Sequence, residues 1–153
     1  MMKFRNSQWR GWALFWSLFI GIGAIAGGCG MLADISGQTL RLDTFLPMMQ
    51  VLPFSDYLFQ DFLFSGVALI VLIGATNLLA FFSLLARRNF GISFSIVCGI
   101  ILMVWTGIQF LIFPLNALSP LYFLFGLLQI VTAVKLRRSD VYEHRRNSHH
   151  SMF

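Results

Sequence analysis

The longest uncharged segment of this chain is residues 89–134, NFGISFSIVCGIILMVWTGIQFLIFPLNALSPLYFLFGLLQIVTAV. It is far longer than the about 20 residues that an α-helix needs to cross the hydrocarbon core of a bilayer. Pro114 and Pro120 divide it, because proline removes a backbone donor and the polar residues between them favour a turn. The stretch therefore predicts two membrane-spanning helices, at about 90–113 and about 120–136.

Two further uncharged segments precede it, at about 11–32 and about 62–85. Each is long enough to span a bilayer at about 1.5 Å per residue. The composition agrees, since 58% of the residues are hydrophobic, only 11% are charged, and the mean hydropathy is +0.77. We expect an all-α, antiparallel four-helix transmembrane bundle over residues 1–136, followed by a basic cytoplasmic tail over residues 137–153.

The orientation follows from the positions of lysine and arginine. All eleven of these residues except Arg41 lie in the N-terminal arm, in the loop between the second and third spans, or from Lys135 onward. The positive-inside rule therefore places both termini in the cytoplasm and the first loop, residues 33–61, outside. Attraction of the C-terminal cations to an anionic leaflet is an additional role that this pattern leaves open.

This outer loop is both apolar and acidic. Its large apolar side chains between residues 40 and 54 predict a segment that lies on the membrane surface or packs over the bundle. Ser55 is a candidate N-cap, so we expect the second helix to begin near Asp56 and to carry Asp56 and Asp61 in its first turns. A membrane enzyme would need these two acids to converge with other polar groups, and their spacing does not place them on one helical face.

Three segments of the chain carry a resemblance: Gly30-Met-Leu-Ala-Asp-Ile-Ser-Gly37, Leu52-Pro-Phe-Ser-Asp-Tyr-Leu-Phe59 and Phe64-Ser-Gly-Val-Ala-Leu69. With them the chain resembles a loosely defined group of small bacterial four-helix membrane proteins without assigned function. The resemblance implies a shared outer loop and a shared bundle. It implies no catalytic or binding residue.

The residue types within the spans argue against several activities. No charged residue lies deep in a span, whereas a small multidrug exporter needs a carboxylate in its first span. His144, His149 and His150 all lie in the tail, so they cannot ligate haem inside the bundle, and we interpret them as a solvated segment rather than a metal site. There is no glycine-rich phosphate loop and no nucleic-acid-binding motif. The sequence predicts no cofactor, no metal and no enzymatic activity.

The two cysteines do not form a redox pair. Cys29 and Cys98 lack the Cys-x-x-Cys spacing of disulfide enzymes, and we expect both to be inert and buried. Ala26-Gly-Gly-Cys29 loosely resembles a lipoprotein processing signal. Ala26 stands where such signals carry a larger aliphatic residue, so we expect the first span to be retained.

Small residues recur along the spans at spacings that allow close helix packing. We expect packing within the chain, with a partner helix or a homodimer as the alternative. The candidate packing positions are Gly23, Gly27, Gly66, Gly74, Gly99 and Gly107.

Uncharged polar residues are the remaining groups at depth. Five of them are expected to form hydrogen bonds between helices: Asn77, Thr106, Gln109, Gln129 and Thr132. A second interpretation places Asn77, Trp105 and Gln109 around a small-molecule pocket, because Trp105 and Gln109 lie one turn apart on the third span.

The sequence thus predicts a non-enzymatic, multi-pass protein of a bacterial inner membrane, acting as an accessory or structural component through helix and loop contacts. The expected partners are membrane lipids and a membrane protein or a second copy of the chain, with no nucleic acid. The alternative function is a carrier of an apolar or uncharged molecule, such as a lipid or a quinone, within the bundle.

Overall fold

A computed structural model describes residues 2–38, 47, 60–88, 90–112 and 118–150. Its helices are α1 (Met2–Ala33), α2 (Leu63–Ala68), α3 (Thr76–Leu85), α4 (Gly91–Ile112) and α5 (Leu118–His150). A π-helical segment, Leu69–Ala75, joins α2 to α3 without a break. The described part of the chain is therefore all-helical.

Four helical stretches are long and apolar enough to cross a membrane. They are Gln8–Ala33, Leu63–Leu85, Gly91–Leu111 and Leu118–Tyr142, which we call the first to fourth spans. The predicted all-α fold with four spans is confirmed at this level.

The second helix begins later than predicted. It starts at Leu63, and Asp61 lies before it, where the Oδ1 atom accepts the backbone N–H of Leu63 at 2.9 Å. The reason is that a short acidic side chain can bind a backbone N–H two residues on, which favours a turn over a helical start. Asp56 and residues 39–46 and 48–59 of the predicted outer loop lie outside the described residues.

Helix α5, which contains the fourth span, continues beyond the predicted end of that span. It runs without a break through His150, and so includes most of the segment predicted to be a tail. Pro120 is its third residue, a position where the missing N–H costs nothing because the first turn of a helix leaves its N–H groups unpaired.

The turn between the second and third spans has the hydrogen bonds of a Schellman motif. Arg87 has a φ of 52° and donates its N–H to the Leu84 carbonyl at 3.2 Å, while Arg88 donates to the Ser83 carbonyl at 3.0 Å. A Cβ atom on Gly91 would lie 2.9 Å from the Ser83 carbonyl carbon. Glycine thus allows α4 to start directly against the end of α3.

The four spans pack around a common axis. The first span has extensive contacts with the second and fourth, and the third span with the fourth and second. The first and third spans therefore face each other across one diagonal, and the second and fourth across the other.

Two apolar layers fill the interior. At the basic end, where the lysines and arginines cluster, Ala13, Leu84 and Leu136 form a buried cluster with Trp9, Leu14 and Ile92 packed against it. Farther along the bundle, Ile20, Ala24, Ile73 and Leu102 form a second cluster, contacted by Trp16, Leu69, Trp105, Tyr122 and Phe125. The candidate site lies between these layers.

Candidate functional site: a polar layer within the bundle

Each span contributes one buried polar side chain to a layer between the two apolar clusters. The four residues are Ser17, Asn77, Ser95 and Gln129, which we call the polar layer, and each is 0% exposed. Buried polar groups need partners because an unpaired one in an apolar interior costs about 1–3 kcal/mol.

Gln129 is the centre of this layer. Its Nε2 atom donates to Asn77 Oδ1 at 2.8 Å, and it lies 3.3 Å from Ser17 Oγ and 3.4 Å from Ser95 Oγ. The two serine hydroxyls are 3.3 Å apart. The Gln129–Asn77 bond joins the second and fourth spans, and the serine pair joins the first and third. Both diagonals of the bundle are therefore bridged by hydrogen bonds.

The orientation of both amides follows from one backbone carbonyl. Asn77 Nδ2 donates to the Ile73 carbonyl at 2.9 Å, so its Oδ1 atom points towards Gln129. Because that oxygen can only accept a hydrogen bond, the Gln129 amide must turn its nitrogen towards it. Gln129 Oε1 is consequently left buried, and no residue that the structure describes donates a hydrogen bond to it.

Side-chain donors cluster where the π-helical segment ends and α3 begins. Thr76 Oγ1 donates to the Leu72 carbonyl at 2.6 Å and lies 3.3 Å from the Ile73 carbonyl, which also accepts from Asn77. Cys98 Sγ donates to the Thr76 carbonyl at 3.5 Å from the third span.

Glycines bring the first and second spans close together on one side of this layer. A Cβ atom on Gly28 would lie 2.7 Å from the Gly66 carbonyl oxygen, and one on Gly66 would lie 3.1 Å from the Gly28 oxygen. A Cβ atom on Gly74 would lie 2.7 Å from Ile25 Cγ1. Only a residue without a side chain allows this backbone-to-backbone approach.

The third and fourth spans approach each other in the same way. A Cβ atom on Gly99 would lie 3.0 Å from the Gly126 carbonyl oxygen, and one on Gly126 would lie 3.0 Å from the Gly99 oxygen. Gly126 was not among the predicted packing positions because it has no partner glycine at a recognisable spacing within its own helix.

The other predicted packing glycines have looser surroundings. A Cβ atom on Gly23 would meet the Tyr122 hydroxyl at 3.4 Å, and one on Gly27 would meet Leu69 Cδ2 at 3.4 Å, which are ordinary contacts. A Cβ atom on Gly107 would meet nothing within 4 Å. The sequence spacing therefore did not distinguish close crossings from open positions.

Two residues of the predicted pocket have different main contacts in the structure. Asn77 belongs to the polar layer, whereas Trp105 packs against the Ile20 cluster. The Trp105 Nε1 atom is buried and has no hydrogen-bond partner in the described part of the chain, so Gln109, one turn further along, does not accept from it.

Gln129 makes the interhelical hydrogen bond that the sequence predicts. The same prediction is wrong for Thr106 and Thr132, which donate to carbonyls of their own helices because a threonine hydroxyl can reach the carbonyl one turn back. The sequence offered no signal for Ser17 or Ser95, because serine is common on both faces of membrane helices.

The basic end of the bundle holds two cations by specific contacts. Arg10 Nη1 donates to the Leu84 carbonyl at 3.1 Å, where a positive charge meets the negative end of the α3 dipole. Lys135 Nζ lies 4.4 Å from the centroid of the Trp9 ring, which is a cation–π distance. These contacts place positive charge beside the Ala13, Leu84 and Leu136 cluster.

The cysteines differ in environment. Cys98 is buried as expected, but Cys29 is exposed, so the prediction that both are buried is wrong for Cys29. The physical reason is its position on the outward face of α1, in line with the exposed residues Ile22 and Ala26. Both thiols are free.

Among the described residues, no three His, Cys, Asp or Glu side chains come together in a way that would hold a metal ion. The polar layer presents only uncharged hydroxyl and amide groups, which hydrogen-bond but do not supply a strong nucleophile or base. These groups hydrogen-bond the four helices to one another. No protein-family model, curated protein or solved structure matches the chain.

Proposed function

We propose that this chain is a non-enzymatic, multi-pass protein of a bacterial inner membrane that acts as an accessory or structural component. It is an antiparallel bundle with both termini in the cytoplasm, and it works through contacts made by its outward helix faces and its outer loop. Membrane lipids and a membrane-protein partner or a second copy of the chain are its partners. The bacterial setting is supported by the family resemblance described above.

The observation that carries this proposal is the polar layer. Four of the deep polar side chains bind one another, and together they bridge both diagonals of the bundle. A joint of this kind favours one helix arrangement, because any shift in register would leave buried donors and acceptors unpaired. A rigid interior supports a protein whose action lies on its outer faces.

The helix arrangement is supported by the order of contacts. Gly28 lies against Ile70 and Gly21 lies against Leu78. Arg10 donates a hydrogen bond to the Leu84 carbonyl. Residue numbers fall along the first span as they rise along the second, as an antiparallel pair requires. Together with the clustering of basic residues, this supports cytoplasmic termini.

The outward faces support contact with lipid or with another helix. Large apolar side chains are exposed on every span, among them Ile22, Leu79, Val104 and Leu127. A soluble protein would not expose so much apolar surface, whereas a membrane protein meets lipid tails or partner helices there.

Site-specific photocrosslinking in native membranes tests this proposal. A photoreactive residue is placed in turn at Ile22, Leu79, Val104 and Leu127, with buried Ala133 as the matched control. We expect one or two outward positions to give a discrete adduct, with a partner protein or a second copy, and the control to give none. The proposal is wrong if no outward position crosslinks to a protein, whether or not the purified chain retains lipid.

Trp105 favours a second candidate function, a carrier of an uncharged molecule with a hydrogen-bond acceptor, such as a quinone or a lipid ester. Its buried indole N–H has no hydrogen-bond partner among the described residues, and Tyr122 and Phe125 pack against the same cluster. A bound carbonyl oxygen would satisfy this donor. The substitution Trp105→Phe keeps an aromatic ring and removes the donor, so it should abolish co-purification of such a molecule, as measured by solvent extraction and mass spectrometry. Gln109→Leu tests whether the neighbouring amide contributes.

A further inference from the structure

We propose that the basic end of the bundle holds the headgroup of an anionic phospholipid, at a site formed by Trp9 of the first span and by Lys135 and Arg138 of the fourth. This inference goes beyond the proposed function and rests on it only for placement in a membrane. The partner is identified by chemistry as a phosphate-bearing lipid with a net negative charge.

The contact between Trp9 and Lys135 defines the position of the site. The ammonium group lies 4.4 Å from the ring centroid, and the ring packs against the Ala13, Leu84 and Leu136 cluster. The cation is therefore held at the junction of the first and fourth spans rather than extending freely. A partly ordered cation loses less conformational freedom when it binds an anion.

The spacing of residues along α5 places Arg138 on the same face of the helix as Lys135. Val131, Lys135, Arg138 and Tyr142 follow one another at intervals of four, three and four residues, and all four are exposed. These intervals place them on one face of the helix. The face changes along its length from apolar at Val131 to cationic at Lys135 and Arg138. A phospholipid presents the same order, with its acyl chains followed by its phosphate.

The charge of the site is not neutralised within the described protein. Among the side chains that the structure describes, no carboxylate pairs with Lys135 or Arg138, and the Lys135 ammonium group contacts an aromatic ring. An anionic lipid would supply the missing partner, and each basic side chain near the membrane surface contributes about fivefold to such binding.

A purely topogenic role for these cations predicts a different behaviour. Orientation in the membrane depends on the number of basic residues near the ends of the spans, and not on where each one lies around the helix. A headgroup site depends on position. Arg87 and Arg88 are also exposed and basic, but they belong to the turn between the second and third spans, so they serve as the control.

The test compares two double variants that remove the same charge, K135Q/R138Q and R87Q/R88Q. Each purified protein is incubated with phosphatidylglycerol or with phosphatidylcholine, and the lipids retained are counted by native mass spectrometry. We expect the wild type and R87Q/R88Q to prefer phosphatidylglycerol. In K135Q/R138Q, the binding of phosphatidylglycerol should fall about fivefold for each cation removed. Equal losses in both variants, no loss in K135Q/R138Q, or no preference in the wild type would overturn the site.

The single variant Arg138→Gln keeps the test decisive if the double variant does not fold, because the Arg138 side chain is exposed. Arg138→Gln should weaken the binding of phosphatidylglycerol about fivefold. Arg137→Gln, on a different face of α5, should weaken it less. The measurement uses purified protein and needs no partner. A missing crosslink would therefore contradict the proposed function without affecting this result, and the reverse also holds.

Discussion

Two pairs of glycines have the same spacing in the sequence and different surroundings in the structure. Gly66 and Gly74 in the second span both pack against the first span, with a Cβ atom 3.1 Å from the Gly28 oxygen at one and 2.7 Å from Ile25 at the other. Gly99 in the third span packs against the fourth, but a Cβ atom on Gly107 would meet nothing within 4 Å. Equal spacing therefore does not guarantee a shared face.

The π-helical segment accounts for this difference. Eight residues of regular α-helix advance the chain by about 80° beyond two full turns, which turns Gly107 away from the face of Gly99. Between Gly66 and Gly74 lies the segment Leu69–Ala75, and a π turn accommodates one extra residue without rotating the flanking helices. The effective separation is then seven residues, or about 20° from alignment. The backbone path, and not the spacing, brings Gly66 and Gly74 onto one face.

Deleting one exposed residue should give the greatest difference in stability between α4 and the π-helical segment of the second span. Deletion of Ile100 rotates the second half of α4 by about 100° and turns Leu102 and Thr106 out of the interior, so we expect no folded protein. Deletion of Val71 converts the π turn to a regular α-helix and leaves Gly66 and Gly74 aligned, so we expect the protein to fold. Size-exclusion elution and thermal unfolding in detergent measure both. Equal failure of the two deletions would show that the π segment does not accommodate an extra residue.

Substitution of the glycines themselves should give the next largest effect. Gly99→Leu forces the third and fourth spans apart at the Gly126 carbonyl, which should lower the free energy of unfolding by about 3 kcal/mol. Gly107→Leu is the matched control and should change it by less than about 0.5 kcal/mol, because its Cβ position is open. Reversible unfolding in mixed micelles measures the difference. Similar losses in the two variants would contradict the assigned contacts.

A smaller effect is expected in the polar layer. Gln129→Leu removes the donor to Asn77 Oδ1 and leaves that oxygen buried, which should cost about 1–2 kcal/mol of unfolding free energy. The loss is limited because the substitution also removes the unpaired Gln129 Oε1. Gln109→Leu, outside the layer, is the control and should be close to neutral. The same unfolding assay applies, and a neutral Gln129→Leu would show that the layer does not stabilise the bundle.

The smallest effect is expected at the turn between the second and third spans. Arg87 has a φ of 52°, a left-handed conformation that costs a residue with a Cβ atom about 1 kcal/mol relative to glycine. Arg87→Gly should therefore raise the free energy of unfolding by about 0.5–1 kcal/mol. Arg88→Gly is the control and should not stabilise, since no such φ is found there. Stabilisation by both substitutions would point to charge removal as the cause.

Much of the candidate site could not be predicted because a membrane removes the usual signal. In water, apolar periodicity marks the face of a helix that points inward, but here the outward-facing residues such as Leu79 and Val104 are as apolar as the core. Gln129 stood out because amides are rare at depth. Ser17 and Ser95 did not, because serine can bind its own backbone on any face.

The number of spans, their approximate positions and the all-helical class follow from the order of amino acids alone. They do so because a span must reach across about 30 Å of hydrocarbon and satisfy its own backbone hydrogen bonds, so length and lack of charge are sufficient. Which small and polar residues meet depends instead on how the helices pack. Those contacts depend on rotation about each helix axis and on a π turn that alters it, and neither is recorded in composition or spacing.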